Sequence, residues 1–311
     1  MKRVVQEQMN ELVDELVHVP GFNSLLKTFI GDKAAEGSRW GEITENVHFM
    51  LGGKSPLLLR YAALTEMIIL SLDIADDLQD GDNDAKTWCQ CPAELALNAV
   101  LALLAGTLGE LGKLSETGGS EGPNAGLIAR IVMRSINGQY RDLAQDVATE
   151  ADYIAMVSDK SGSLLRLACC MGYTGLNLPE ETVSKLDELA GCIGIIAQID
   201  NDLRDLLRID VKNDLLHKKR TLPVFYLLAD QNESFPYLRQ YYEGEMSKEQ
   251  FMLHKQACID YIENSGCIEY TRIIQELYVK RAEALLDSID AVSPWKEQFK
   301  RTTFAPEAVT A

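Results

Sequence analysis

The sequence predicts an all-α protein that folds as one helical bundle. Apolar residues recur at helical spacing through most of the 311 residues, and no alternating strand pattern of useful length appears. No Pro- or Ser-rich linker divides the chain. We therefore expect a single domain over residues 1–300, followed by a loose tail at 301–311.

Turn and cap residues bound the predicted helices. Pro20-Gly21 is expected to stop the first helix, and Gly52-Gly53 precedes a long segment that is apolar nearly all round, as in a helix buried in a bundle. The stretch 115–126 is rich in Gly and Ser and is expected to be a surface loop. Helices are predicted at 3–17, 23–31, 56–80, from Pro92 to that loop, at 127–148, 150–175 and 180–208, from Thr221 onward, and as two or three elements within 236–291.

Composition and charge narrow the function. The chain is 46% hydrophobic, its apolar runs are short or interrupted, and its N-terminus lacks the apolar core of a signal peptide. We therefore expect a cytoplasmic protein without an integral membrane segment. The net charge of −17 argues against a nucleic-acid partner, because phosphate binding needs a basic face. Seven Cys without paired CxxC spacing indicate reduced thiols.

A first cluster of carboxylates closes the long apolar helix. Asp73, Asp76, Asp77 and Asp80 lie on one helical stripe, where like charges repel unless cations bind between them. Oxygen ligands of this density suit Mg²⁺, which takes one or two carboxylates together with water and phosphate oxygens. Taken alone, the cluster fits a solvated acidic helix end equally well. A calcium loop starting at Asp80 is excluded, because its sixth and twelfth positions are not Gly and Glu.

A second polar cluster ends another apolar helix much later in the chain. It contains Gln198, Asn201, Asp202 and Asp205, spaced three and four residues apart. Two such clusters facing each other across a bundle would form a multi-metal clamp for a diphosphate. Since the whole chain is acidic, the diphosphate would also need a few well-placed basic residues.

These motifs resemble those of the trans-isoprenyl diphosphate synthases. DDLQD resembles the first Asp-rich motif DDxxD, and NDLRD the second, with Asn201 where the first Asp usually stands. Three further elements agree in order: Gly138-Gln139 with Asp142-Leu143, Lys160-Ser161, and Asp214-Leu215 through Lys219 to Thr221-Leu222-Pro223.

The resemblance implies a fold of the isoprenoid synthase type, with about 10–13 helices around a central cavity, and two or three Mg²⁺ ions. It assigns metal ligation to Asp76, Asp77, Asp80, Asn201, Asp202 and Asp205, with the aspartates also catalytic. It assigns binding of the allylic diphosphate to Lys160, Lys219, Gln139, Gln198, Asn201 and Asp73, and the floor of the hydrocarbon tunnel to Ser71 and Leu72. For either Lys the alternative is an ordinary solvated side chain.

Two missing basic elements bear on the acceptor. Chain-elongating synthases bind isopentenyl diphosphate through GGKxRP and RRG, whereas this chain reads Gly52-Gly53-Lys54-Ser55-Pro56 and Ala85-Lys86-Thr87 at these places. EMIILSLDIADDLQDGDN with Trp88, DKSGSLLRLA and GIIAQI resemble the ComQ family instead. That resemblance implies transfer of a geranyl or farnesyl group from its diphosphate to a Trp of a pheromone precursor peptide like ComX, and relatives suggest a homodimer.

Other functions remain open at this stage. A short-chain prenyl diphosphate synthase shares the fold and the metal chemistry, and an inactive helical partner subunit would explain Asn201 and the missing Arg. A terpene cyclase is less favoured, because NDLRDLLRI lacks the later Ser/Thr and Glu of the cyclase motif. Trp88 either lines the acceptor entrance or packs in the core, and we favour packing. The four His residues form no constellation.

Overall fold

A computed structural model describes residues 1–81, 83–119, 122–206, 215–229 and 235–304, and its regular elements in these ranges are all helices. This confirms the predicted all-α class. The helices are α1 Arg3–Leu16, α2 Pro20–Ala35, α3 Trp40–Met50, α4 Leu58–Asp80, α5 Thr87–Gln90, α6 Ala93–Gly118, α7 Ala125–Leu143, α8 Glu150–Gly172, α9 Glu180–Leu206, α10 Leu222–Ala229, α11 Tyr237–Glu243, α12 Lys248–Met252, α13 Lys255–Asn264, α14 Cys267–Asp287 and α15 Trp295–Thr303.

The described ranges contain more helices than the 10–13 expected, because several are short or lack an apolar stripe. Helix α3 is absent from the prediction because its buried face carries Thr44, Asn46 and His48. Each is satisfied by a distant partner; His48 Nδ1, for example, lies 2.7 Å from the carbonyl oxygen of Gly172. Helix α1 ends at Leu16, before Pro20-Gly21 as predicted, and Pro20 then occupies the first position of α2, where its missing N–H is not needed.

Helix α4 is the central element of the bundle. Its residues from Tyr61 to Ser71 are all buried, and it packs against α1, α3, α6 and α8. Gly81 ends it with a left-handed φ of 62°, a conformation that glycine adopts without steric cost. The aspartates of the first motif are thereby placed on the last two turns of a buried helix.

Helix α8 holds α7 and α9 at close range. A Cβ added to Gly138 of α7 would lie 2.4 Å from the backbone nitrogen of Lys160, and one added to Gly194 of α9 would lie 2.4 Å from that of Gly162. The backbones therefore approach more closely than any side chain would permit. Helix α8 starts as predicted, at a capping box in which Thr149 and Asp152 exchange hydrogen bonds.

Two further helices bear on the expectations. Helix α15 packs against α3 around the buried Phe299 and ends at Thr303, three residues into the segment expected to be a tail. Residues 305–311 lie outside the described residues. Helix α6 is the one described helix that is long and apolar enough to cross a membrane, but it packs against α4 with Ala96, Ala99 and Leu103 buried in the core.

Candidate active site

A cavity of about 530 Å³ opens between α4, α7, α8, α9 and the segment 219–221. It brings the two Asp clusters to one place, as the spacing predicts. The predicted site residues on its wall are Leu72, Asp73, Asp76, Asp77, Asp80, Gln139, Lys160, Gln198, Asn201, Asp202, Asp205 and Lys219. The remaining predicted residue, Ser71, is buried away from this wall and donates to the carbonyl oxygen of Ile68 at 2.6 Å.

Asp76 shares the ammonium group of Lys160 with Asp142. Lys160 Nζ lies 3.3 Å from Asp76 and 2.8 Å from Asp142. Burial raises the pKa of Asp76, against the opposing effect of Lys160. Burial by itself would lower the pKa of Lys160, but Asp142 and Asp76 outweigh it and raise that pKa. Lys160 is therefore a cation held by two carboxylates at the edge of the cavity.

Asp80 forms the corresponding pair on the other side. Lys219 Nζ lies 3.4 Å from its Oδ2, and the Asp80 side chain is only 15% exposed. Asp76 and Asp80 are four residues apart and so project from the same face of α4. Both lysines that the resemblance assigns to diphosphate binding thus contact an aspartate of the first motif.

Asp77 and Asp73 have different surroundings. The two carboxylate oxygens of Asp77 accept hydrogen bonds from Asn83 Nδ2 at 2.8 Å and from Trp88 Nε1 at 2.7 Å. Asp73 pairs with Lys33 of α2 at 2.6 Å, and burial raises its pKa even though Lys33 opposes this effect. The stripe of four aspartates is therefore divided among separate partners, which reduces the repulsion within it.

In the second motif, Asp202 is the most deeply buried carboxylate. It is 2% exposed and accepts hydrogen bonds from the Tyr153 hydroxyl and from Gln198 Nε2, the latter at 2.8 Å. Ser161 donates to Gln198 Oε1 at 3.0 Å, and Asn201 accepts from Arg204. Gln198 is thus fixed between two helices and orients Asp202.

Several site residues escaped the sequence analysis. Lys33, Asn83, Tyr153 and Arg220 either bind a motif aspartate or line the cavity. Arg220 directly follows Lys219 and could have been found from that position. Lys33 and Tyr153 could not, because their motif partners lie far away in sequence. Asp214 of the proposed DLxxGKxTLP element lies outside the described residues.

The donor set fits magnesium. Across the part of the chain that the structure describes, no three His, Cys, Asp or Glu side chains converge into a ready-made metal site. Mg²⁺ does not require one, since it is typically held by one or two carboxylates with substrate phosphates and water completing the octahedron. Asp76, Asp80 and Asp205 offer such oxygens on the cavity wall.

Apolar side chains also line the cavity. Leu72, Ala75, Ile136, Met156 and Leu164 contribute to its wall. A cavity lined by both charged groups and hydrocarbon suits an amphipathic molecule with an anionic head.

The fold and this cavity define a prenyltransferase of the isoprenyl synthase superfamily. The chain belongs to the polyprenyl synthetase family, whose model matches residues 43–261, and it is similar to ComQ proteins over nearly its whole length, as the motifs predict. It is 29% identical over 300 residues to the tryptophan prenyltransferase ComQ of Bacillus subtilis subsp. natto (strain BEST195), which covers 96% of this chain and 86% of that protein. ComQ of Bacillus subtilis (strain 168) is 28% identical over 304 residues, covering 94% and 95%.

Solved structures confirm the fold. A geranylgeranyl pyrophosphate synthetase from the archaeon Geoglobus acetivorans superposes with a TM-score of 0.76 at 23% identity, covering 97% of this chain and 96% of that one. A polyprenyl synthetase from Streptomyces coelicolor A3(2) gives a TM-score of 0.73 at 21% identity, with the same coverage. By contrast, the sequence likeness to geranylgeranyl pyrophosphate synthase D of Phomopsis amygdali, at 29% identity, covers only 46% of this chain.

Proposed function

We propose that this protein transfers a geranyl or farnesyl group from its diphosphate to a tryptophan side chain of a pheromone precursor peptide, with two or three Mg²⁺ ions. The likeness to ComQ over nearly the whole chain supports the peptide acceptor. The observation that carries the proposal is that the cavity offers basic groups for one diphosphate. The basic residue at the position where synthases bind a second diphosphate is instead ion-paired with a residue of α2.

That position is Lys86, which stands where chain-elongating synthases have a basic pair. It is ion-paired with Glu36, and its ammonium group lies 5.3 Å from the centre of the Trp88 ring. Lys54, in the other incomplete motif, is exposed and does not line the cavity. Each missing charge-assisted contact would remove about 1.5–3 kcal/mol of binding free energy. Isopentenyl diphosphate is therefore a poor acceptor for this protein.

In the proposed reaction the allylic C–O bond breaks heterolytically and the electron pair leaves with the diphosphate. Lys160 and Lys219 contact that leaving group and stabilise its charge. Bound Mg²⁺, held by Asp76, Asp80 and Asp205, would supply Lewis-acid neutralisation of the same phosphates. The apolar wall excludes water from the allylic cation. Indole C3 of the acceptor then forms the new C–C bond, the backbone amide closes a ring, and the released proton can pass to diphosphate.

The proposal is tested by co-expressing the protein with a Trp-containing precursor peptide and measuring the peptide by mass spectrometry. We expect a prenyl increment, whose mass distinguishes geranyl from farnesyl. Asp76→Ala should abolish it, while Asp84→Ala, an exposed aspartate just beyond the motif, should leave it intact. Efficient elongation of an allylic diphosphate with isopentenyl diphosphate would instead support a synthase. Absence of any Mg²⁺-dependent diphosphate release would support an inactive partner subunit.

We further propose a homodimer in the cytoplasm. Helices α6 and α7 carry large apolar side chains that are exposed in the single chain: Leu95, Leu97, Leu101 and Met133. Leu97 and Leu101 are one helical turn apart and therefore share a face. Exposed large apolar side chains that share a helix face are typical of a protein interface.

A further inference from the structure

Trp88 is a buried aromatic side chain whose one polar atom is used at the first Asp motif. Its ring is fully inaccessible to solvent and meets the Phe29 ring edge-on at 5.8 Å. The indole N–H donates to Asp77 Oδ2 at 2.7 Å, while Asn83 donates to the other oxygen at 2.8 Å. The short indole bond shows that the tryptophan does more than fill space.

The segment that carries both donors is itself held against α2. Lys86 is ion-paired with Glu36, and the Thr87 backbone N–H lies 3.4 Å from an Asp32 carboxylate oxygen. Together with the Phe29 contact, these interactions fix residues 83–88 to a helix outside the cavity. The donors to Asp77 are therefore preorganised, and they can restrain the end of α4.

That end needs a restraint. Four aspartates share the last two turns of α4, the last turn of a helix tends to fray, and like charges four residues apart are destabilising. A third lysine beside Asp77 would also hold the carboxylate, but it would add to the positive charge of Lys160 and Lys219 near a bound divalent cation. Neutral N–H donors hold the carboxylate without opposing the cation.

We propose that Trp88, assisted by Asn83, is a positioning residue: its indole N–H fixes Asp77 and thereby the last turn of α4, so that Asp76 and Asp80 present their carboxylates together to the metal and diphosphate. This assignment rests on the proposed function only in taking the first motif as the place where metal and diphosphate bind. It assigns Trp88 an effect on metal binding, distinct from any contact with the acceptor.

The test compares Trp88→Phe, which keeps an aromatic ring but removes the N–H, with Phe29→Leu, which weakens the ring packing and leaves the N–H in place. The readout is calorimetric titration of the full-length protein with Mg²⁺ in the presence of inorganic pyrophosphate, so it needs neither an acceptor nor turnover. We expect Trp88→Phe to weaken the binding of Mg²⁺ and pyrophosphate about tenfold. Phe29→Leu should change it less than twofold, even where its melting temperature falls.

A double-mutant cycle shows whether Trp88 acts through Asp77. If it does, Trp88→Phe combined with Asp77→Ala should bind no more weakly than the weaker of the two single variants, because both remove the same hydrogen bond. Asn83→Ala, which lies outside the core, should weaken binding in the same direction even if Trp88→Phe folds poorly.

Three results would overturn the assignment: unchanged binding in Trp88→Phe and Asn83→Ala, equal losses in Trp88→Phe and Phe29→Leu, or losses that multiply in the double variant. Failure to bind Mg²⁺ and pyrophosphate in the unaltered protein would overturn both this assignment and the metal-dependent chemistry. Normal binding of Mg²⁺ and pyrophosphate without prenylation of the peptide would contradict only the proposed peptide acceptor.

Discussion

Replacing Lys160 by Met tests the cation that we assign to the leaving diphosphate. Met keeps an unbranched apolar stem and removes the charge. In the structure the ammonium group lies 2.8 Å from Asp142 and 3.3 Å from Asp76, and the side chain is 19% exposed. Two carboxylates thus hold this charge in a partly dehydrated position, where it interacts more strongly than a surface lysine would.

The expected loss follows from that geometry. A charge-assisted hydrogen bond to a phosphate oxygen contributes about 1.5–3 kcal/mol. Because 1.36 kcal/mol corresponds to a factor of ten, kcat/KM for the allylic diphosphate should fall by about 10- to 150-fold. The kcat/KM of Lys160→Arg should fall less, because Arg keeps the positive charge, although its planar guanidinium has a different length and geometry.

The assay is steady-state release of diphosphate at saturating Mg²⁺. Lys185→Met is the matched control, because Lys185 is also helical but does not line the cavity; it pairs with the exposed Glu181, one turn away, and donates to the Ser288 carbonyl oxygen. Its kcat/KM should stay within a factor of two. An unchanged kcat/KM in Lys160→Met, at an unchanged melting temperature, would refute the assignment of this lysine to the leaving group.

Four other predictions follow from single contacts. Burial raises the pKa of Glu66 above its usual 4.5, so the folded state binds a proton more tightly and the free energy of unfolding falls as the pH rises from about 4.5 through the folded-state pKa. Chemical denaturation at several pH values should show the unaltered protein losing stability over that range relative to Glu66→Gln. Gly138→Ala should cost about 1–3 kcal/mol of unfolding free energy, because its Cβ meets the backbone of α8, whereas Gly126→Ala on the same helix, with no atom nearer than 3.5 Å, should not destabilise. Leu101→Glu should shift the protein from dimer to monomer in analytical ultracentrifugation, and Leu253→Glu, 83% exposed elsewhere, should not. Chelation by EDTA should abolish binding of an unreactive allylic diphosphate analogue, as well as turnover, and retained binding in calorimetry would contradict this.

The two long helices that carry the Asp motifs were predictable, because each is a long run of apolar residues at helical spacing. Helix α4 was expected at 56–80 and spans Leu58–Asp80, and α9 was expected at 180–208 and is described from Glu180 to Leu206. Both are apolar over many turns, and cap or turn residues mark an end of each. The meeting of the two Asp clusters was expected from their resemblance to the paired Asp-rich motifs of the synthases, and both clusters line the cavity.

The partners of the motif aspartates could not be predicted from the sequence as readily. Trp88 was expected to pack, and it does, but its hydrogen bond to Asp77 depends on how the residues after α4 fold back. Lys33 reaches Asp73 from a different helix. The spacing of apolar residues predicts which face of a helix is buried. Which carboxylate a Trp or Lys side chain contacts depends instead on the tertiary structure, which residue spacing does not predict.

The charges on the cavity wall explain how an acidic protein handles an acidic substrate. Seven aspartates line the cavity, against three basic side chains, Lys160, Lys219 and Arg220. Even with Lys33 compensating Asp73 from α2, negative charge prevails before the diphosphate adds its own. The lysines by themselves could not attract such a ligand, because each is already paired with an aspartate. Divalent cations would resolve this conflict by binding the carboxylates and the diphosphate together, which is why we propose that the aspartates bind the substrate only through metal.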